Sequence, residues 1–153
     1  MQPSQRQLHA AMRCAFIWAE LSHCKKRQVG AVIVKNNSPI AWGYNGTSSG
    51  EDNCCEDEVQ QPDGSVRLVT KPEVWHAEDN ALRKLTRSTE SGEGATMFVT
   101  TAPCKPCATR IVDAGIVAVY YVEDFSKTEG LEYLRAKGAR VEQLVLPEKV
   151  SKQ

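Results

Sequence analysis

Residues 95–122 read ATMFVTTAPCKPCATRIVDAGIVAVYYV. An apolar run rich in β-branched and aromatic residues (95–101) meets a Pro-Cys-Lys-Pro-Cys turn. Residues 104–114 follow with helical character, stopped by Gly115, and a second apolar run resumes at 117–122. The outer runs predict strands and the middle segment a helix with a glycine just past its end. Two strands joined by one helix run parallel, and such a unit needs further elements to cover its apolar faces.

Working outward, residues 127–137 predict another helix, ended by Gly138, and RVEQLVL (140–146) a last strand. On the N-terminal side, residues 76–87 predict a helix with Ala77, Ala81, Leu82 and Leu85 inward. VGAVIV (29–34) and IAWGY (40–44) flank the turn residues Lys35-Asn36-Asn37-Ser38-Pro39, a hairpin whose first strand is apolar enough for burial on both faces. Residues 5–21 predict an amphipathic helix with Leu8, Met12, Ala15, Phe16 and Ala19 on one face, and Cys14 is assigned to its core. The order α-β-β-α-β-α-β-α-β predicts an α/β fold, a three-layer α/β/α sandwich around a five-stranded mixed sheet, forming one domain over 1–153. Residues 45–72 are polar and show no period, so a long functional loop is expected there.

Composition narrows the function. Lys+Arg and Asp+Glu balance at 19 each, so no global field favours a polynucleotide or an anionic membrane. No apolar run reaches the roughly 18 residues that span a bilayer, and MQPSQRQLHAAMRC lacks the pattern of a signal peptide. The expected location is the cytoplasm, or the host cytoplasm for a viral protein. There, six cysteines suggest metal binding or catalysis ahead of a disulfide framework.

Two motifs open predicted helices. His76-Ala77-Glu78 starts one, and Pro103-Cys104-Lys105-Pro106-Cys107 starts another, 28 residues from the histidine to the first cysteine. One imidazole and two thiolates are zinc ligands, and three protein ligands leave a fourth tetrahedral position for water, brought by the metal to a pKa near 7. Helix N-termini favour the thiolate form. Glu78, two residues past the histidine, is placed to move protons without being a ligand. Taken singly, each motif has a plainer meaning: a partly exposed histidine, or a thioredoxin-like redox pair at Cys104 and Cys107. Their conjunction matches the H-x-E…P-C-x-x-C pattern of zinc nucleobase deaminases.

The chain thus resembles the cytidine/deoxycytidylate deaminase superfamily, and within it the deoxycytidylate (dCMP) deaminases. QVGAVIV (28–34), GYNG (43–46), HAEDNAL (76–82) and TTAPCKPCATRIVDAGI (100–116) carry the likeness, and Asn53-Cys54-Cys55 is similar to phage members. The resemblance implies zinc-dependent hydrolysis of dCMP to dUMP and ammonia, supplying thymidylate synthesis. It also implies homo-oligomers, commonly hexamers, and regulation by dCTP and dTTP with Mg2+ on the effector phosphates. Other zinc deaminases, acting on dCTP, free cytidine or another nucleobase, are the rival within enzymes.

For substrate, the resemblance places Asn45 at the sugar. Val29 would line the base slot, the backbone of Ala102 would meet the base edge, and Tyr121 would close the pocket. Arg27, last of the Lys25-Lys26-Arg27 run, is assigned to the phosphate because a guanidinium grips it bidentately. Gly46, Gly50 and Asn53 are the candidate effector residues, although Ser48 stands where many relatives have proline. Cys24, Cys54 and Cys55 raise a second, structural zinc; the favoured reading is that they are buried or idle thiols.

Overall fold

The computed structural model describes residues 2–147. In chain order its elements are α1 (Gln5–Ala19), β1 (Gly30–Lys35), β2 (Ser38–Tyr44), β3 (Glu56–Gln60) and β4 (Val66–Thr70). There follow α2 (Ala77–Leu85), β5 (Thr96–Thr101), α3 (Lys105–Asp113), β6 (Ala118–Glu123), α4 (Glu129–Ala136) and β7 (Arg140–Gln143). Five strands form one sheet in the order β2-β1-β5-β6-β7. β1 pairs antiparallel with both β2 and β5, whereas β5, β6 and β7 are parallel, so the sheet is mixed as expected.

The alternation of side chains along each strand divides the core in two. Ala31, Ile33, Met97, Val99, Val119 and Tyr121 face α2, α3 and α4. Val32, Phe98 and Tyr120 face α1, where Leu8, Met12 and Ala15 are buried. The result is the three-layer sandwich. Full burial of a side chain such as Met97 or Met12 contributes about 2 kcal/mol. α1 begins at a capping box: the Ser4 hydroxyl accepts from the Gln7 N–H, and the Gln7 side chain accepts from the Ser4 N–H.

Three expectations need correction. Cys14 is exposed, because two residues from Met12 turns it to the far side of α1. Residues 45–72 are not all loop: β3 and β4 form a separate antiparallel hairpin. Its side chains are mostly solvent-facing, so no alternation marks it; the one available sign was Asp63-Gly64, with Gly64 at φ +86° in the turn. Cys24 and Cys55 are neither idle thiols nor part of a metal cluster. They are joined in a disulfide, while Cys54 is exposed and its thiol donates to the Glu56 carbonyl.

Candidate active site

The C-terminal ends of β5 and β6 and the first turns of α2 and α3 meet around a cavity of about 440 Å³. His76 is the N-cap residue of α2 and Cys104 that of α3, so both sit where backbone N–H groups have no helical partner. Two glycines permit this closeness. A Cβ on Gly43 would strike the backbone of α2 at Ala77 and Ala81, and one on Gly130 would strike the backbone of Pro103 and Cys104. The Asp79 carboxylate, nearly buried on α2, receives Arg110 of α3 at 3.1 and 3.3 Å, tying the two helices together. Asn80 donates to the Tyr44 carbonyl at 2.8 Å, anchoring α2 to the end of β2.

His76 Nδ1 lies 3.2 Å from Cys107 Sγ and 3.5 Å from Cys104 Sγ. Among the described residues, these three form the only group of His, Cys, Asp and Glu ligand atoms gathered closely enough for a metal, all within 4.8 Å of one another. Without a metal the cluster shares protons. Hydrogen bonds from Cys107 and His76 hold the Cys104 thiol down at about 4, and the bond to Cys104 holds the His76 imidazole up at about 9. Cys107 is pushed far up by its bond to the Cys104 sulfur and by burial. A divalent cation replaces such shared protons, and two sulfurs with one imidazole nitrogen are a zinc donor set, so the residues fit that metal.

Glu78 lines the same cavity but is not in the ligand group. It is 4% exposed, and burial raises its carboxyl to about 7. A carboxyl at that value can both take and give a proton near neutral pH.

Arg27, Val29, Asn45 and Ala102 all line the cavity. The Asn45 side chain is tied to the chain entering β1: its Oδ1 accepts from the Val29 N–H and its Nδ2 donates to the Arg27 carbonyl. The Ala102 N–H donates to the Glu123 carbonyl, so the backbone group it can offer a ligand is its own carbonyl. Tyr121 does not reach the cavity; it shares the face of β6 with Val119 and is buried in the core. The aromatic ring at the rim is Phe125, with the Arg27 guanidinium 5.4 Å from its centroid. Phe125 follows the C-terminal end of a parallel strand, where ligands gather in such sheets, and that signal could have found it. Thr70 and Val74 reach the cavity from the hairpin side, which no sequence period announced.

Gly46 is bridged to Trp75 through paired backbone hydrogen bonds, Gly50 has φ +88°, and Asn53 is exposed. Their neighbours Thr47, Ser48 and Ser49 line a second cavity with Arg83, Lys84 and Arg87.

The pattern of the cytidine and deoxycytidylate deaminase zinc-binding region matches residues 5–123, more than half of the chain. The chain belongs to this family. Family relatives include the deoxycytidylate deaminase of Enterobacteria phage T4, 32% identical, with 77% of this chain and 78% of that protein aligned. The Saccharomyces cerevisiae deoxycytidylate deaminase is 36% identical over 90% of this chain. The chain spans only 44% of that yeast protein. Among solved structures, the dCMP deaminase of cyanophage S-TIM5 in complex with dCMP and dUMP is 40% identical, with a TM-score of 0.83. The alignment covers 94% of this chain and all of that one. Among the described residues, no helix is long and apolar enough to cross a membrane.

Proposed function

We propose that this chain hydrolyses dCMP to dUMP and ammonia, a product that feeds thymidylate synthesis. The observation that carries this reading is one cavity lined by His76 and Cys104 of the His76–Cys104–Cys107 cluster, by the buried Glu78 carboxyl and, at its rim, by Arg27. The relatives named deoxycytidylate deaminase, and the S-TIM5 complex with dCMP and dUMP, support the choice of substrate.

His76, Cys104 and Cys107 would hold the zinc, which when bound supplies water acidified to near neutrality. Glu78 takes a proton from the attacking water and gives it to the ring nitrogen beside the reacting carbon. Oxygen bonds to that carbon, Glu78 takes the second proton from the hydroxyl so formed and passes it to the exocyclic amine, and the C–N bond breaks to leave the carbonyl of the product and ammonia. Burial serves this cycle, since a carboxyl raised to about 7 changes protonation state at little cost. Val29 and Phe125 bound the space for the base, Asn45 the sugar side, and Arg27 pairs with the phosphate.

Regulation by dCTP and dTTP, with Mg2+ on their phosphates, belongs to the same reading. The second cavity supports it, because Thr47, Ser48 and Ser49 of the 46–53 segment line it together with the cations Arg83, Lys84 and Arg87. Assembly into homo-oligomers, commonly hexamers, is supported by Ile17 on α1, Leu21 just past its end and Trp42 on β2, large apolar side chains left exposed.

The test is ammonia release from dCMP, dCTP, deoxycytidine and CMP by the purified chain, with bound zinc counted. The expected result is one zinc per chain and highest kcat/KM on dCMP. Equal turnover of deoxycytidine would remove the phosphate from the reading, and no turnover of any cytosine substrate would overturn it.

A further inference from the structure

Glu56 opens the hairpin strand β3, yet it is 8% exposed in a strand whose other residues face solvent. Its carboxylate is used twice. The Lys25 N–H donates to both oxygens, at 3.1 and 2.9 Å, and the Lys26 N–H donates to the second oxygen at 3.0 Å. Two consecutive backbone N–H groups therefore close on one buried anion, an arrangement that fixes a backbone bend. The next residue is Arg27. On its far side, Asn45 binds both the Arg27 carbonyl and the Val29 N–H. The neighbouring residues Cys24 and Cys55 are covalently joined, so the carboxylate cannot drift from the bend it caps.

Three cations in succession would spread apart if left alone. Here the buried anion lies beneath the backbone of the first two and gathers the run at the mouth of the cavity, which Lys26 and Arg27 line. We infer that Glu56 is a positioning residue for substrate choice: it holds the Lys25–Arg27 bend so that the Arg27 guanidinium stands ready for a nucleotide's phosphate. This rests on the reading of Arg27 as the phosphate ligand. Preorganisation of this kind strengthens binding by removing the cost of ordering a loop, so its effect should fall on substrates that carry the phosphate.

The test compares kcat/KM for dCMP and for deoxycytidine in the wild type, Glu56→Ala, Glu56→Gln, Arg27→Ala and the Arg27→Ala/Glu56→Ala pair. The preference for dCMP should fall about tenfold in Glu56→Ala, the scale of a lost charge-assisted hydrogen bond. In Glu56→Gln, which keeps one acceptor oxygen, the fall should be smaller. In the Arg27→Ala background, Glu56→Ala should change the preference no further. Thermal melting and bound zinc identify any variant that fails to fold, and Glu56→Gln is then the variant that decides. An unchanged or increased preference in the Glu56 variants overturns the inference while leaving Arg27 as ligand. A further fall in the Arg27→Ala background overturns it too. No preference for dCMP in the wild type removes the phosphate reading itself, and the inference with it.

Discussion

The two halves of the cavity are built by opposite means. On the zinc side, His76, Glu78, Cys104 and Cys107 stand in the first turns of α2 and α3 or at their caps. Backbone packed on backbone at Gly43 and Gly130 sets where those turns lie. On the side proposed for the phosphate, Arg27 stands in a bend held by side chains that reach across to backbone groups, Glu56 to residues 25 and 26 and Asn45 to residues 27 and 29. The first construction admits few alternatives, as the chemistry requires. The second can be altered one hydrogen bond at a time, so it is the half in which substrate choice can change without loss of the reaction.

That contrast is broken most severely at the metal. Cys107→Ser removes a soft ligand from the fully buried side of the cluster. Its expected outcome is loss of stoichiometric zinc and a fall in activity of at least about 10³-fold on every cytosine substrate. Metal analysis and ammonia release check this; retention of zinc with a change confined to dCMP would place Cys107 in the wrong half. Chelation of the wild type should give the same loss, reversed by added zinc.

The phosphate half should respond selectively. Arg27→Ala is expected to lower kcat/KM for dCMP by about 10- to 100-fold, the worth of hydrogen bonds to a charged group, with a much smaller effect on deoxycytidine. Zinc content should stay at the wild-type level. A loss shared equally by both substrates would show that the two halves are not separable.

A smaller effect is expected where backbone packs on backbone. In Gly130→Ala the new methyl meets the backbone of Pro103 and Cys104, which cannot move aside as a flexible side chain would. The expected cost is about 1–3 kcal/mol of stability, as for other overpacked sites, with faster zinc loss to a chelator. Thermal melting and the rate of zinc transfer measure the two effects. Wild-type values for both would mean that α4 does not press on the cysteine turn.

Legibility in the sequence followed the same division. The central strands of the main sheet announce themselves because they are continuous apolar runs buried on both faces, as GAVIV and TMFVTT are. His76, Cys104 and Cys107, which could hold the metal, and Glu78 are legible because their spacing along two helix starts matches the pattern that zinc deamination needs. Tyr121 could not be placed from sequence: whether a strand tyrosine turns to the core or to a ligand depends on a register of one residue. The hairpin was hidden because an exposed two-stranded ribbon has no core face to impose a period. Glu56 was hidden with it, since nothing local marks the one acidic residue of EDEVQ whose partners lie about thirty residues away. The pairing of Cys24 with Cys55 is likewise a property of three-dimensional proximity, and the expected redox setting argued against it.

The central claim is that Glu78 carries the protons while His76, Cys104 and Cys107 hold the metal. The most direct test is single-turnover ammonia release from dCMP by Glu78→Gln, with zinc counted in the same sample. The expected result is full zinc occupancy and a rate lowered by about 10²- to 10⁴-fold, the usual contribution of a general acid–base group. A Glu78→Gln protein that releases ammonia at the wild-type rate, or one that loses its zinc along with its activity, would contradict that division of labour.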